Sequence, residues 1–418
     1  MSKSPEVLYK EREQRYNDAV AIKEPDRVPL APLTGYWPCL YKGMTQKEAM
    51  FDHSRTAAAF KEVTLELNWD MCIPFLFLFS GPLFKSMRMK QMKAPGIDLP
   101  DNVSHQHVEA EYMYAEEYKE LFDNPSDFTI RKYLPRVWGA FEVFETLPPL
   151  DSYLGLGAIL TLPMLGAQPA IFEAMEALKK GGEAMMQWMG VEMAYEAEMK
   201  SLGFPALFGS AAVCPFDVVS DFMRGMRGTM LDMYRRPEDL KRLMDLVGPH
   251  MTDMAINMAK MANNPRVFVA IHRGSDPFLS DEQFAEFYWP GLKKLLLDFI
   301  DAGLTTMLFM EGDCTSRIKY LKELPKGKVI AMLDTTDIFW AKKEIGDRVC
   351  LKGNVPAQLL CAGTPAQVDE YCKKLIEVVG EGGGYVMDGA VTGIPDEAKP
   401  ENVKAMCESV FKYGVYRK

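Results

Sequence analysis

Five short apolar runs in the second half of the chain each stop on a polar residue, and helical stretches separate them. RVFVAIH ends at His272, TTMLFM runs into Glu311-Gly312-Asp313-Cys314, KVIAML ends at Asp334, RVCLKG at Gly353-Asn354 and GYVM at Asp388. Unbroken apolar runs are the mark of strands buried on both faces, and such strands belong to parallel sheets covered by helices. In a barrel of these units the C-terminal strand ends meet at one mouth, where polar groups build sites. No GxGxxG follows any run and no GxxxxGK[ST] occurs, which disfavours an open nucleotide-binding sheet. The pattern predicts an α/β chain folded as a parallel barrel of the TIM type with an enzyme site at its strand ends, and the length of residues 1–418 allows it as a single domain.

The first half supplies the other strands. Glu24-Pro25-Asp26-Arg27-Val28-Pro29-Leu30 introduces one that ends at Thr34-Gly35-Tyr36-Trp37-Pro38, Met71–Phe79 is apolar, and Ala206–Val213 leads into Cys214-Pro215-Phe216-Asp217. A helix is expected from about Thr45, as its cap, to Leu67, and two helices on either side of Gly181-Gly182. Ser280 with Gln283, and Thr364 with Gln367, read as capping boxes. Residues from about 81 to 150 are irregular and rich in Pro, Met and acidic groups, and predict an insertion over the barrel mouth. Gly380 to Gly384 reads as a helix-to-strand turn.

A net charge of −10 argues against nucleic acid as a partner, because phosphate binding needs a concentrated basic surface. The local basic run Lys85 to Lys93 reads as a solvated edge. Eight cysteines without a CxxC pair read as reduced thiols, and the charged amphipathic N-terminus differs from a signal peptide, so a cytoplasmic location is expected. The uncharged run Ser152–Phe172 has the length of a membrane span but contains Pro163, Pro169, Gln168 and three glycines. It is expected to be buried core or pocket lining, with no membrane partner.

His272, Glu311 and Asp334 end consecutive strands, so their tips could converge as a catalytic set. Glu311 follows an apolar strand, where desolvation would keep its carboxyl protonated as an acid; an ion pair with Arg273 is the alternative. His272 could donate a proton, bind a metal, or be hydrogen-bonded into the rim. His272, Glu311 and Asp334 together have the donor types for a divalent metal ion. Tyr36, Trp37 and Phe216, and more weakly Phe222, read as aromatic pocket walls. Asn354 and Asp388 are further substrate-binding candidates. His105-x-His107-x-Glu109 sets ligand types on one face of an extended segment but reads as a surface loop. Asp217, Asp221, Arg224 and Arg227 open a helix and read as dipole partners rather than catalytic groups.

The segments DPFLSDEQFAEFYWPGLKKLL, the strand ending EGD, AKKEIGDRVCLKGNVPAQLLCAGTPAQVDEYCKKLI and GGGYVMDGAVTGIPDEAKPENVKAM, with the opening EPDRVPL, resemble the uroporphyrinogen decarboxylase superfamily. The resemblance covers about 276–406, while about 81–200 fits poorly. It implies a single (β/α)8 barrel and one of two activities, porphyrinogen decarboxylation or corrinoid-dependent methyl transfer. The decarboxylases carry an arginine-rich RQAGR after the first strand, where this chain reads Thr34-Gly35-Tyr36-Trp37-Pro38. They also carry a histidine in a GHGI-like segment, where this chain reads Gly389-Ala390-Val391-Thr392-Gly393-Ile394. Bidentate guanidinium recognition of carboxylates has no easy substitute.

The thiol-methylating relatives bind zinc through a His-x-Cys and a later Cys. Those positions here are Phe309, Met310 and Glu311, and Ala390-Val391, so zinc could bind only through other ligands. What remains implied is the O-demethylase methyltransferase branch, which moves a methyl group from a methoxylated, aromatic small molecule to the Co(I) of a corrinoid protein. No DxHxxG pattern is present to supply a lower cobalt ligand, so the cobamide would arrive on a partner docked over the mouth. A homodimer is left open. A decarboxylase or other lyase, and a non-catalytic corrinoid- or ligand-binding homologue, are the alternative readings.

Overall fold

A computed structural model describes residues 3–390 and 393–416. Its first two strands, β1 (Met92–Lys93) and β2 (Gln106–His107), form an antiparallel pair within the insertion. The others, β3 (Ser210–Val213), β4 (Arg266–Ile271), β5 (Thr305–Met310), β6 (Val329–Leu333), β7 (Cys350–Lys352) and β8 (Tyr385–Val386), form one parallel sheet in sequential order. Every residue of β4 and β6 is buried, as their unbroken apolar sequences require.

Two further extended segments close the sheet into a barrel. Leu30 bridges Met387 in parallel, and Met387 N donates to Pro29 O at 2.9 Å. Asp70 N donates to Leu30 O at 2.7 Å, and Cys72 bridges Ala206 in parallel. The ring therefore runs 28–34, 70–73, then β3 to β8 and back, which is the expected (β/α)8 barrel. Lys352 and Asp388 form a fully buried ion pair inside it, and Asp388 also accepts from Leu33 N at 3.0 Å and Gly389 N at 2.7 Å. One carboxylate thus joins β7, the end of β8 and the first segment. Helix Pro5–Val20 covers the N-terminal ends of the strands, where its Arg15 meets Asp70 at 2.6 Å and its Glu13 meets Arg266 at 2.9 Å.

Most of the expected local signals hold. The capping boxes at Thr45, Ser280 and Thr364 are all formed. Gly383 has φ +84°, and a Cβ there would lie 2.3 Å from Lys23 O, so the glycine-rich helix-to-strand turn is required by close approach. The helix from Thr45 is broken at Asp52, whose side chain caps a second helix, His53–Glu66.

Two expectations are overturned. There is no break at Gly181-Gly182: a single helix runs Pro169–Ser201. Gly181 is there because Met87 of helix Gly81–Met87 packs against it, 2.7 Å from where a Cβ would stand. The run Ser152–Phe172 is not core, since Leu154, Leu156 and Ile159 are 76%, 72% and 69% exposed. At about 1.5 Å per residue the 33-residue helix is some 50 Å long, against about 20 Å for a barrel strand. Its Glu192 accepts from Phe75 N just past the 70–73 segment, so the part before 192 extends past the mouth; its Ala174 and Gly181 pack on the insertion, while the run preceding the helix stands in solvent. Of the segment 389–394, positions Val391 and Thr392 lie outside the described residues.

Candidate active site

The register of the sheet sets the level of the strand ends. Ile271 pairs with Met310 and Met310 with Leu333, so His272, Glu311 and Asp334 follow at one height on neighbouring strands. The convergence expected from the sequence is present in the backbone.

The His272 side chain is held from below. Its Nδ1 lies 2.6 Å from Asp221 Oδ2, and its backbone N donates to Asp217 Oδ2 at 3.0 Å. Arg273 N donates to Asp217 Oδ1 at 3.0 Å, and Tyr288 O–H donates to Asp217 Oδ2 at 2.5 Å. Asp217 and Asp221 sit one turn apart on helix Pro215–Phe222, directly after β3. The sequence reading set them aside as dipole partners; they are buried organisers of the site. Their i, i+4 spacing at a strand-to-helix turn was the signal that could have found them.

Charge follows this geometry. Burial by itself would lower the His272 pKa, but the hydrogen bond to Asp221 and the charges of Asp217 and Asp221 outweigh it and carry it up to about 9. Burial also pushes Asp217 up to about 6, whereas Asp221 is held below its usual range because the His272 and Arg273 bonds outweigh its burial. His272 is therefore an imidazolium at neutral pH. Its Nδ1–H points to Asp221, and Nε2 is the edge turned away from that carboxylate.

Glu311 stands in the accessible mouth. Desolvation by the surrounding protein raises its pKa, opposed by His272 and reinforced by Asp334 and Asp221. The alternative ion pair with Arg273 is not made: Arg273 bonds Asp221 and Glu109, each at 3.0 Å. Asp334 accepts from Gly312 N at 2.8 Å and so fixes the loop that carries Glu311. Among the described residues no three His, Cys, Asp or Glu side chains are grouped to hold a metal ion. The metal set of His272, Glu311 and Asp334 is thus not assembled among the described residues.

The substrate-binding candidates separate. Asn354 is buried at the end of β7; its Nδ2 donates to Asp334 O at 2.9 Å and Thr336 O at 3.0 Å, while its Oδ1 has no partner among the described residues. Trp37 is packed away from the mouth, stacked on Tyr41 with Nε1 donating to Ala398 O at 2.8 Å. Phe216 is fully buried against Tyr288 beneath the site. Asp388 is consumed by Lys352 and the barrel seam. These three are structural. Tyr36 lies at the rim, and its hydroxyl is 2.6 Å from His105 Nδ1.

That last contact belongs to a strap. Residues 104–113 cross the mouth from the first strand to the ends of β3 and β4. Ser104 donates to Asp396 at 2.9 Å, His107 meets the Phe222 ring edge-on at 5.9 Å, and Glu109 pairs with Arg273. Arg224 binds Glu111 at 2.7 Å and Met113 O at 2.6 Å. The insertion therefore does reach over the mouth. His107 and Glu109 are exposed, as a surface loop would have them, but His105 is enclosed, and burial lowers its pKa to about 4. Neutral His105 and the Tyr36 hydroxyl share this hydrogen bond.

A sequence model of the uroporphyrinogen decarboxylase (URO-D) family matches residues 172–413. The uroporphyrinogen decarboxylases of Pseudoalteromonas atlantica and Methylococcus capsulatus are 37% and 38% identical to this chain over 80 residues, 19% of this chain and 22% of each relative. The match thus spans about a fifth of the length of these curated relatives. Among solved structures, a methyltransferase from Methanosarcina mazei superposes with a TM-score of 0.60 at 15% identity, covering 96% of this chain and 98% of that one. At that identity the likeness speaks for the barrel fold. No helix among the described residues is by itself long and apolar enough to cross a membrane.

Proposed function

The chain belongs to the uroporphyrinogen decarboxylase family, and from that premise we propose that it is a methyltransferase which demethylates a methoxylated, aromatic small molecule. The observation that carries this reading is the placing of Glu311, whose pKa desolvation raises, near cationic His272 at the mouth, where the thiol-methylating relatives are expected to hold zinc. A corrinoid on a separate protein would supply the Co(I) that accepts the methyl group.

This chain's own work is at the leaving oxygen. As the methyl–oxygen bond breaks, its electron pair stays on oxygen, and Glu311 gives that oxygen its proton. Cationic His272 stabilises the carboxylate left behind, and Asp221 fixes the imidazole. Asn354 Oδ1, buried and without a partner among the described residues, stands below the mouth as an acceptor, and Tyr36 with His105 walls the opposite rim. The uncharged Thr34-Gly35-Tyr36-Trp37-Pro38 corner lacks the arginines a tetrapyrrole polycarboxylate calls for.

Decarboxylation is the second reading, favoured by one observation: imidazolium His272 beside Arg273 could face a substrate carboxylate. The test is to incubate the protein with a Co(I) corrinoid protein and guaiacol-like ethers. A methyl-Co(III) spectrum supports methyl transfer; its absence across an ether and methylamine panel sinks the proposal. Release of CO2 from a carboxylated substrate supports the second reading.

A further inference from the structure

The strap across the mouth carries two acids, Glu109 and Glu111, and each meets an arginine, but the two pairs are built differently. Arg224 is closed off. Its side chain is 3% exposed, its Nε donates to Asp232 at 2.6 Å, and its Nη1 donates to both Glu111 and Met113 O. Arg273 is more open. Its Nε donates to Asp221 and its Nη2 to Glu109, each at 3.0 Å, while its Nη1 donates to nothing among the described residues. Glu109 is itself 45% exposed at the mouth.

Each oxygen of the Glu109 carboxylate has its own donor. Oε2 takes Arg273 Nη2, and Oε1 takes the backbone N–H of Met226 at 2.6 Å, in the first turn of helix Gly225–Arg235. Gly225 makes the room: it has φ +69°, and a Cβ there would stand 3.0 Å from Glu109 Oε1 and 2.8 Å from Ala110 O. A guanidinium and a helix-start N–H, one to each oxygen, are what binding a carboxylate calls for. The strap does not depend on this carboxylate to stay in place. On either side of it Val108 N donates to Gln91 O at 2.8 Å and Tyr112 N to Met223 O at 2.7 Å, and Glu111 holds Arg224.

The geometry points to a carboxylate-binding site formed by Arg273 and Met226 N–H, in which Glu109 is an internal occupant that a ligand's carboxylate replaces. This rests on the reading of the protein as a demethylase of methoxylated aromatics. It narrows the substrates to ring compounds that also carry a carboxylate, held by that group as an anchor away from the methyl–oxygen bond. Asp221 bonds both His272 and Arg273, so the anchor is tied to the same carboxylate that orients the imidazole.

Charge favours exchange over simple addition. Asp221, Glu311 and Asp334 stand at the same mouth, and an added anion would meet them with Arg273 already neutralised by Asp221 and Glu109. Replacing Glu109 leaves the charge around Arg273 unchanged. Releasing Glu109 to water costs little, because an exposed ion pair contributes little to stability. A ligand that brings its own carboxylate regains both hydrogen bonds.

Calorimetric titration of the full chain with para-methoxybenzoate and with its neutral analogue para-methoxybenzamide is the test, and it needs no corrinoid protein. The benzoate is expected to bind on the order of tenfold tighter, as hydrogen bonds to a charged acceptor give. Arg273→Gln should erase that preference and leave benzamide binding as it was. Glu109→Gln should tighten benzoate binding by about two- to fivefold, the gain from removing an exposed competitor, and leave the benzamide unchanged. A Glu109 that only stapled the strap would leave benzoate affinity in that variant unchanged or lower, and either result overturns the proposal. Equal binding of the two probes, or binding of neither, also overturns it. So does CO2 release from the benzoate, which would make its carboxylate the reacting group. Methyl transfer from neutral ethers without a benzoate preference would remove this inference and leave the proposed function standing; a benzoate preference without transfer to Co(I) would do the reverse.

Discussion

His272 Nδ1 sits 2.6 Å from Asp221 Oδ2, and this contact sets both the orientation and the charge of the imidazole at the barrel mouth. Asp221 comes from the helix after β3, whereas His272 ends β4. The pair therefore couples two βα units, and Asp217 locks the backbone of the same turn from one helical turn away.

Removing that partner should return the ring to ordinary behaviour. In Asp221→Asn the His272 pKa is expected to fall from about 9 to near or below the usual ~6.5, because burial then acts against weaker opposition. Titration of the His272 ring resonances by NMR measures this. A titration still centred near 9 in the variant would show that another group holds the charge.

The same pair predicts a pH dependence of stability. The folded pKa of His272 is raised above its unfolded value, so the folded state binds the proton more tightly. The resulting stabilisation is complete below about 6.5 and is lost as pH rises through about 9. Urea unfolding of the native protein and Asp221→Asn should give a stability gap that narrows between pH 7 and 10. A gap constant over that range contradicts the assignment.

Glu311→Gln keeps the shape of the side chain but removes its transferable proton. Methyl transfer is expected to drop by about 10²–10⁴, the usual contribution of a positioned acid, with substrate affinity little changed. Single-turnover rates and a binding titration separate the two effects. An unchanged rate removes Glu311 from the chemistry.

Trp37→Phe discriminates packing from substrate contact. Losing the Nε1 bond to Ala398 O should cost about 1 kcal/mol of stability while leaving the Michaelis constant unaltered. A raised Michaelis constant at unchanged stability would return Trp37 to the pocket.

Lys352→Met leaves Asp388 as an uncompensated buried carboxylate at the barrel seam. A loss of about 3–5 kcal/mol is expected by denaturant unfolding. A cost under ~1 kcal/mol would mean that the seam is held by its backbone bonds alone.

The barrel was legible in the sequence because its strands are buried on both faces, so composition alone marks where each begins and which residue ends it. The strand ends place His272, Glu311 and Asp334 that way, and the capping boxes follow from local hydrogen bonding that needs no distant partner. What decides the role of each site residue is a partner far away in the chain, and only the tertiary structure supplies it. Asp221 reaches His272 across 51 positions, Lys352 claims Asp388, and Ala398 claims Trp37. The strap did the same for His105, which its neighbours in sequence gave no reason to bury. The run Ser152–Phe172 shows the limit most plainly. Its apolar character was readable, but whether an apolar surface meets the core or stands open depends on helix length against barrel height, a comparison that exists only once the chain is folded.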